Sequence, residues 1–406
     1  MAATADTVLT RDFPILAREG LVYLDSGATS QKPRAVLDAI EDLLGSHNAN
    51  IHRGVYPLAV EATDLFEGAR ERIAAFTGST ITETIFTKNA TEALNLVAYS
   101  WGRANVGAGD VIVLTQMEHH SNIVPWQLLA QEVGAEIHWL AIDENGQLSL
   151  DELEQVLAGG RVKLVAFAHI SNVLGTVNPV AEMVTRVRAA GAVSVIDGSQ
   201  AVPQIPVNVG EIGVDFYVWT GHKAYGPTGV GVLHGRRELL DAMPPFLGGG
   251  DMIRTVTQAG STFNELPWKF EAGTSPVAEV VGLGAAVDVL SGIGMDQVRA
   301  HELDITAYAL ERLATVPGVT IYGPPKAEDR GALVSFAMSV AHPHDVAEIV
   351  ARDGVCIRAG HHCAQPLMQC LGVGATSRAS FAIHTTRAEI DQLIDSLGKV
   401  NAIFGD

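Results

Sequence analysis

Two side chains in this sequence are placed to do covalent chemistry. Lys223 lies in TGHKAYGPTGVGVL, directly after the apolar run FYVWT and inside a Gly- and Pro-rich turn. An amine at the end of a buried strand can be kept neutral by desolvation and can condense with an aldehyde cofactor as a Schiff base. A lysine on a surface loop is the ordinary alternative. A Walker-type phosphate loop is ruled out, because His222 and not Gly precedes the lysine. Cys363 lies in RAGHHCAQPLM, beside His361 and His362 and near Arg358. Such neighbours favour the thiolate, which is the nucleophilic form. The alternatives are a buried structural cysteine, as Cys356 and Cys370 read, or a metal ligand shared with the two histidines. The seven-residue spacing of the cysteines does not match a CxxC zinc site.

Other residues could serve a cofactor at the same place. Asp197 closes VSVID and precedes Gly198, Ser199 and Gln200. A carboxylate at a strand end can hold a pyridinium nitrogen protonated and so make the ring an electron sink; a turn or helix-cap aspartate is the equal alternative. Asn89, Ala90 and Thr91 precede the helical run EALNLVAYSW, and free amides with a hydroxyl at a helix start suit a phosphate as well as ordinary capping. His119 and His120 follow VIVLTQME, where an imidazole could stack on a ring, sit in a loop or bind metal.

These residues depend on elements that can be read from hydrophobic patterning. Short apolar runs at Val111–Leu114, Glu136–Leu140, Val162–Ala168, Val193–Asp197 and Phe216–Thr220 alternate with helical stretches, one of them Ile123–Val133. Ser149 and Glu152 form a capping-box pattern, as do Thr386 and Glu389. Nearly continuous apolar strands separated by helices predict a mainly parallel sheet buried on both faces. Ligands then bind beyond the carboxyl ends of its strands, which points to Ala168, Asp197 and Thr220. The pattern changes near Ile293: a helix over Met295–Ala314, a strand near Leu333–Phe336, a helix after Pro343 and a last helix to about Phe404. We therefore expect a large α/β domain over 26–292. A smaller α+β domain is expected over 293–406, joined by residues 1–25.

Composition narrows the classes of function. Lys plus Arg total 27 against 46 Asp plus Glu, a net charge of -19, which disfavours nucleic acid and anionic membrane partners. Three cysteines in 406 residues are no disulfide framework and fit a reducing compartment. The first residues have no signal-peptide pattern and no apolar run reaches a membrane span; a cytoplasmic protein is expected.

Together, YLDSGAT, HHSNIVPWQ, HISNVLGTVNP, DGSQAV, TGHKAYGPTGVGVL, FEAGTSP, RAGHHCAQPLM and SRASFAIHTT resemble, in this order and over nearly the whole chain, the SUF-type (group II, SufS-like) cysteine desulfurases. These belong to the class V aminotransferase branch of the aspartate-aminotransferase-like fold, fold type I of the pyridoxal-phosphate enzymes. The resemblance implies that Lys223 holds pyridoxal 5'-phosphate, Asp197 pairs with its ring nitrogen, Gln200 with its hydroxyl, and His119 stacks on the ring. It implies phosphate contacts from Ala90, Thr91, Thr220 and His222, and from Thr274 of FEAGT to the neighbouring subunit of a homodimer. Asn172 and Arg378 would hold the carboxylate of L-cysteine, with Arg358 and His52 close by. Cys363 would accept the sulfur as a persulfide, leaving alanine. The chain departs from its relatives at Ala90 (often Thr), at Thr220 (often Ser) and at His384, Thr385 and Thr386, where YNT is common. It lacks the long mobile insertion of ISC-type enzymes before Cys363, so a separate acceptor for iron–sulfur cluster assembly is implied, of SufU or SufE type. HPHD at His342–Asp345 favours a zinc-bearing SufU-type acceptor, with His344 as a candidate zinc ligand; a plain first-turn histidine is the alternative. Rival functions are a selenocysteine lyase and a low-turnover cofactor-binding scaffold.

Overall fold

The computed structural model describes residues 12–405. A seven-stranded sheet runs in the spatial order Thr84–Thr87, Gly231–Gly235, Phe216–Thr220, Val193–Asp197, Val162–Ala168, Val111–Thr115, Glu136–Leu140. All strands are parallel except Gly231–Gly235, which is antiparallel to both neighbours. The strands at Phe216–Thr220 and Gly231–Gly235 are joined by ten residues. That is too short for the helical crossover a parallel pair needs, so the chain doubles back, and Lys223 sits in the connection.

Alternate residues of these strands enter two separate cores. Val113, Val165, Phe167, Ile196, Tyr217 and Trp219 belong to one, and Ile112, Leu114, Leu164, Ala166, Val195 and Val218 to the other. Burial on both faces is why the strands read as continuous apolar runs rather than as alternating ones. On the first face the helix Val277–Ile293 packs along Arg34–Ser46 and Pro57–Phe76. Two of its glycines allow that approach: a Cβ on Gly282 would lie 2.8 Å from Ile40, and one on Gly284 2.8 Å from Ala69. The helical cost of glycine is thus offset by close packing.

The second sheet is antiparallel, in the order Val319–Tyr322, Leu333–Met338, Thr376–Ser380, Arg358–Gly360. Helices Met295–Ala314, Pro343–Arg352 and Arg387–Phe404 share its apolar core. Val22–Tyr23 pairs in parallel with Val355–Cys356 as a separate two-stranded sheet, and Val22 and Leu24 pack into the apolar core of the second sheet and its helices. Phe13 instead packs against Tyr225 and His384 and belongs to the large core; residues 1–11 of the expected N-terminal segment lie outside the described residues.

The Thr386–Glu389 capping box is present in both directions. The one expected at Ser149 is only half formed. Ser149 accepts from the Glu152 amide, but the Glu152 carboxylate turns to the Ala141 amide, a tertiary partner that the local pattern does not reveal.

Candidate active site

The carboxyl ends of four strands, with the turns that follow them, converge on one cavity of about 210 Å³. Ala168 and Asp197 end their strands there, Thr220 ends the strand before Lys223, and His119 follows Val111–Thr115. The second sheet closes it with Arg358, His362, Cys363 and Arg378. Of the residues singled out in the sequence, Lys223, His119, Asp197, Gln200, Ala90, Thr91, Thr220, His222, Asn172, Arg358, Arg378 and Cys363 all line this cavity. His52 and Thr274 do not line it within the single chain. His52 has a left-handed backbone and bonds Glu67 at 2.7 Å, and Thr274 is exposed on a loop.

The floor is prepared for a charged aromatic ring. The Asp197 carboxylate is buried and, among the described residues, accepts only the Ser199 amide, on Oδ1 at 2.9 Å. Burial holds the Lys223 amine down at about 8; Asp197 acts against this, while Arg378 and Arg358 push it further down. Burial, with the Lys223 charge, holds His119 at about 4, so the imidazole is neutral near pH 7. Its Nδ1 accepts the Ser121 amide at 3.1 Å and lies 2.7 Å from the Ser121 hydroxyl; the ring proton of the neutral form is therefore on Nε2.

At the other end, the helix Ala90–Leu96 starts with Asn89 as its cap, whose side chain accepts from Glu92 and whose carbonyl accepts from Ala93. The amides of Ala90 and Thr91 are left to face the cavity, with positive helix-end character. Gly231 lets this segment rest on the sheet, since a Cβ there would lie 2.4 Å from the Asn89 backbone.

Two expectations about the surroundings of Cys363 need correction. His362 brings no positive charge to the thiol. It is buried, bonds the Thr376 carbonyl and hydroxyl through Nε2, and is held at about 3 by burial and by Arg378. The cations that share the cavity with the thiol are the Arg358 and Arg378 guanidinium groups and the Lys223 amine. Cys370 is not a buried structural cysteine: it is exposed and contacts Gln116 at 3.3 Å, while Cys356 is half-buried. Cys363 itself is exposed, and both it and His362 adopt left-handed backbone conformations, with φ 55° and 51°. Such strain in two successive non-glycine residues is held by contacts with the turn that follows strand Val111–Thr115. The His120 amide donates to the Cys363 carbonyl at 2.7 Å, and the Gln365 amide to His120 Nε2 at 3.0 Å.

The expected carboxylate clamp is partly engaged by protein. Asn172 donates to the His362 carbonyl at 2.7 Å, and its own carbonyl accepts from Arg378 at 2.8 Å. Gln200 donates to the Gly27 carbonyl at 2.8 Å. His384, one of the departures noted above, lies outside the cavity, packed against Phe13. Sequence reasoning missed Asp25, whose two oxygens meet Arg378 at 3.3 Å and Arg358 at 3.2 Å. It also missed Ser121, which sets the His119 tautomer. The only signal for Asp25 was its place in YLDSGAT; Ser121, two residues from His119, was legible as a local turn.

A class V aminotransferase family model matches residues 22–393, and the chain belongs to that family. A probable cysteine desulfurase of Streptomyces coelicolor is 51% identical, over 98% of this chain and 97% of the relative. A cysteine desulfurase of Haloferax volcanii is 46% identical, over 97% and 96%. The crystal structure of the Escherichia coli cysteine desulfurase CsdA superposes with a TM-score of 0.91 at 36% identity, covering 98% of this chain and 99% of that one. The apo cysteine desulfurase of Thermococcus onnurineus gives 0.93 at 36%, over 97% of each. The fold is accordingly that of the fold type I pyridoxal-phosphate enzymes, and pyridoxal phosphate is the cofactor of this family.

The residues present fit that cofactor. Ser199 Oγ and Thr220 Oγ1 are buried in the cavity wall without a hydrogen-bond partner among the described residues. With the Ala90 and Thr91 amides they would give the phosphate and ring substituents groups to satisfy, while Asp197, Lys223 and His119 would supply the ring's nitrogen partner, its amine and its stacking face.

Proposed function

We propose that this chain is a cysteine desulfurase that moves sulfur from L-cysteine to Cys363 and releases L-alanine. The observation that carries this reading is the meeting of Lys223 and Cys363, from different sheets and 140 residues apart in sequence, in one cavity beside Asp197. Pyridoxal phosphate, when bound, supplies an aldehyde for amines and a ring that stabilises negative charge on the substrate carbon. Lys223 would hold it, and the lowered proton affinity of this amine suits it to take the α proton of cysteine near neutral pH. Asp197 would hold the ring nitrogen and His119 the ring face. Arg378, buried and with Nε unpartnered, would receive the substrate carboxylate. The Cys363 thiolate attacks the substrate sulfur. The S–S bond forms as the C–S bond breaks, the electron pair of that bond stays with the β carbon, and protonation there together with return of a proton to the α carbon gives alanine.

The persulfide is then passed to an acceptor protein for iron–sulfur cluster assembly in the cytoplasm, as in the SUF system. The exposed Cys363, held on a short turn, supports delivery to an acceptor that docks at the cavity mouth. A SufU-type acceptor is favoured by His344. This side chain is exposed in the first turn of Pro343–Arg352, and its Nε2 lies 3.8 Å from where a Cβ on Gly360 would be. Imidazole there could replace a cysteine ligand on the acceptor's zinc and free that thiol. A homodimer is proposed because Thr274 does not line its own cavity and Val55, 96% exposed, leaves apolar surface near His52 uncovered.

The test is alanine production from cysteine by the reconstituted enzyme, with and without each acceptor. No alanine above background overturns the reading. Wild-type acceleration by a SufU-type acceptor that persists in His344→Ala overturns the ligand swap, and acceleration by a SufE-type acceptor alone favours the zinc-free route.

A further inference from the structure

Behind His119 lies a buried carboxyl that the chemistry above does not use. Glu118 has no exposed surface. Its Oε1 accepts from the Thr115 hydroxyl at 2.5 Å and from the Ala168 amide at 3.1 Å, and its Oε2 accepts from Asn122 Nδ2 at 2.7 Å. Asn122 in turn accepts the Trp126 indole N–H on Oδ1 at 3.0 Å. An indole N–H only donates, so Asn122 cannot turn over, and its amide must donate toward Glu118. A backbone N–H only donates as well. Residue 118 must therefore present an acceptor at both oxygens, whether or not a proton is shared with Thr115.

These bonds join two walls of the cofactor cavity. Residue 118 is the stem of His119, and Ala168 lies beside Asp197 in the parallel register of strands Val162–Ala168 and Val193–Asp197; the neighbouring His169 amide donates to the Asp197 carbonyl at 2.8 Å. We propose that Glu118 is a positioning residue that fixes His119 over the cofactor ring and holds it in register with Asp197. It touches neither cofactor nor substrate, and it acts through two backbone segments and the Thr115–Asn122–Trp126 bonds.

The decisive comparison uses Glu118→Gln, Asn122→Asp and the double variant. Glutamine offers one acceptor where two are needed, so its amide meets either the Ala168 N–H or Asn122 Nδ2 head-on. In the double variant the introduced glutamine amide donates to the introduced aspartate, which still accepts from Trp126, and every bond is restored, with polarity exchanged only in the bond between residues 118 and 122. Two quantities are read on apoprotein titrated with pyridoxal phosphate: the dissociation constant, and the visible circular dichroism of the bound cofactor, which reports the asymmetry of its surroundings. We expect about tenfold weaker binding and an altered visible signal in Glu118→Gln, with both recovered to within about threefold in the double variant. An unchanged dissociation constant and visible signal in Glu118→Gln, even with a lower melting temperature, would show a purely structural carboxyl and overturn the proposal. A double variant no better than the single one would overturn it too. Should Glu118→Gln not fold, Thr115→Val, which removes one donor only, is read on the same two quantities with a smaller change in the same direction expected; no change in it likewise overturns the proposal.

Discussion

Arg358 and Arg378 face each other directly across antiparallel strands of the second sheet, and Asp25 lies against both guanidinium groups. Like charges at opposed positions are unfavourable, so this pair depends on an acid from the other end of the chain. Arg378 is buried and Arg358 exposed, which divides their energetics: the buried partner carries the dependence and the exposed one little of it. Asp25→Ala is expected to raise KM for cysteine at least tenfold and to lower the melting temperature, because Arg378 loses its orientation. Arg358→Ala is expected to change stability by less than about 0.5 kcal/mol. Steady-state kinetics and thermal melts of both variants check this.

Thiol chemistry is separable from cofactor chemistry, because Cys363 lies in the exposed turn that follows strand Arg358–Gly360 of the second sheet. Cys363→Ser should retain the cofactor's visible absorbance and still show the spectral response to cysteine, yet lose sulfide release with dithiothreitol. Lys223→Ala should lose the resting absorbance band. Sulfide release by Cys363→Ser at the wild-type rate would remove Cys363 from the role of acceptor.

The pH dependence of folding has a definite sign. Burial holds His119, His169, His222, His234 and His384 at about 4 and His362 at about 3, below the ordinary 6.5. The unfolded chain binds these protons as pH falls through 6.5 and the folded chain does not, so their contribution to stability falls as pH drops from 6.5 toward 4. Glu118, raised to about 7 by burial, acts the other way between 7 and 4.5, as do the buried Glu302 and Glu389. With His120 also held down by burial, seven imidazoles against three carboxyls leave a net loss. Urea midpoints of the apoprotein should fall between pH 7 and 5, and a flat profile would contradict this account.

Arg70 is fully buried, bonds Glu271 at 2.6 and 2.8 Å and Glu67 at 2.8 Å, and stacks over Phe86. Glu271 precedes the loop bearing Thr274, and Glu67 holds His52. Replacing Arg70 by Met strands the Glu271 carboxylate, at an expected cost of about 3–5 kcal/mol. Adding Glu271→Gln should recover part of that loss in urea titrations.

If Thr274 serves the neighbouring subunit, Lys223→Ala and Thr274→Ala chains should complement each other. Each homodimer has two defective sites, whereas a mixed dimer has one site with both residues intact. Mixing under subunit exchange should raise activity toward half of that of the wild type per mixed dimer, and sedimentation should show dimers throughout. Activity equal to the average of the separate variants would place Thr274 outside the composite site.

Much of this protein was determined locally. Strand runs such as Val162–Ala168 follow from continuous apolar character, the helix Met295–Ala314 from its period, and the cap of Arg387–Phe404 from Thr386 and Glu389, because each depends on neighbours a few residues away. The rule that ligands lie at the carboxyl ends of parallel strands then put Asp197 and Lys223 at one edge, and motif resemblance supplied the roles. Other features depend on partners outside the local pattern, from 11 residues away for Glu152 and Ala141 to 353 for Asp25 and Arg378. The Asp25 contacts to Arg358 and Arg378, the neutral inward-facing His362, the exposure of Cys370 and the half-formed cap at Ser149 have no local signature. Burial, tautomer and ion pairing are properties of the space between elements, and only the packing of the two sheets against each other fixes that space.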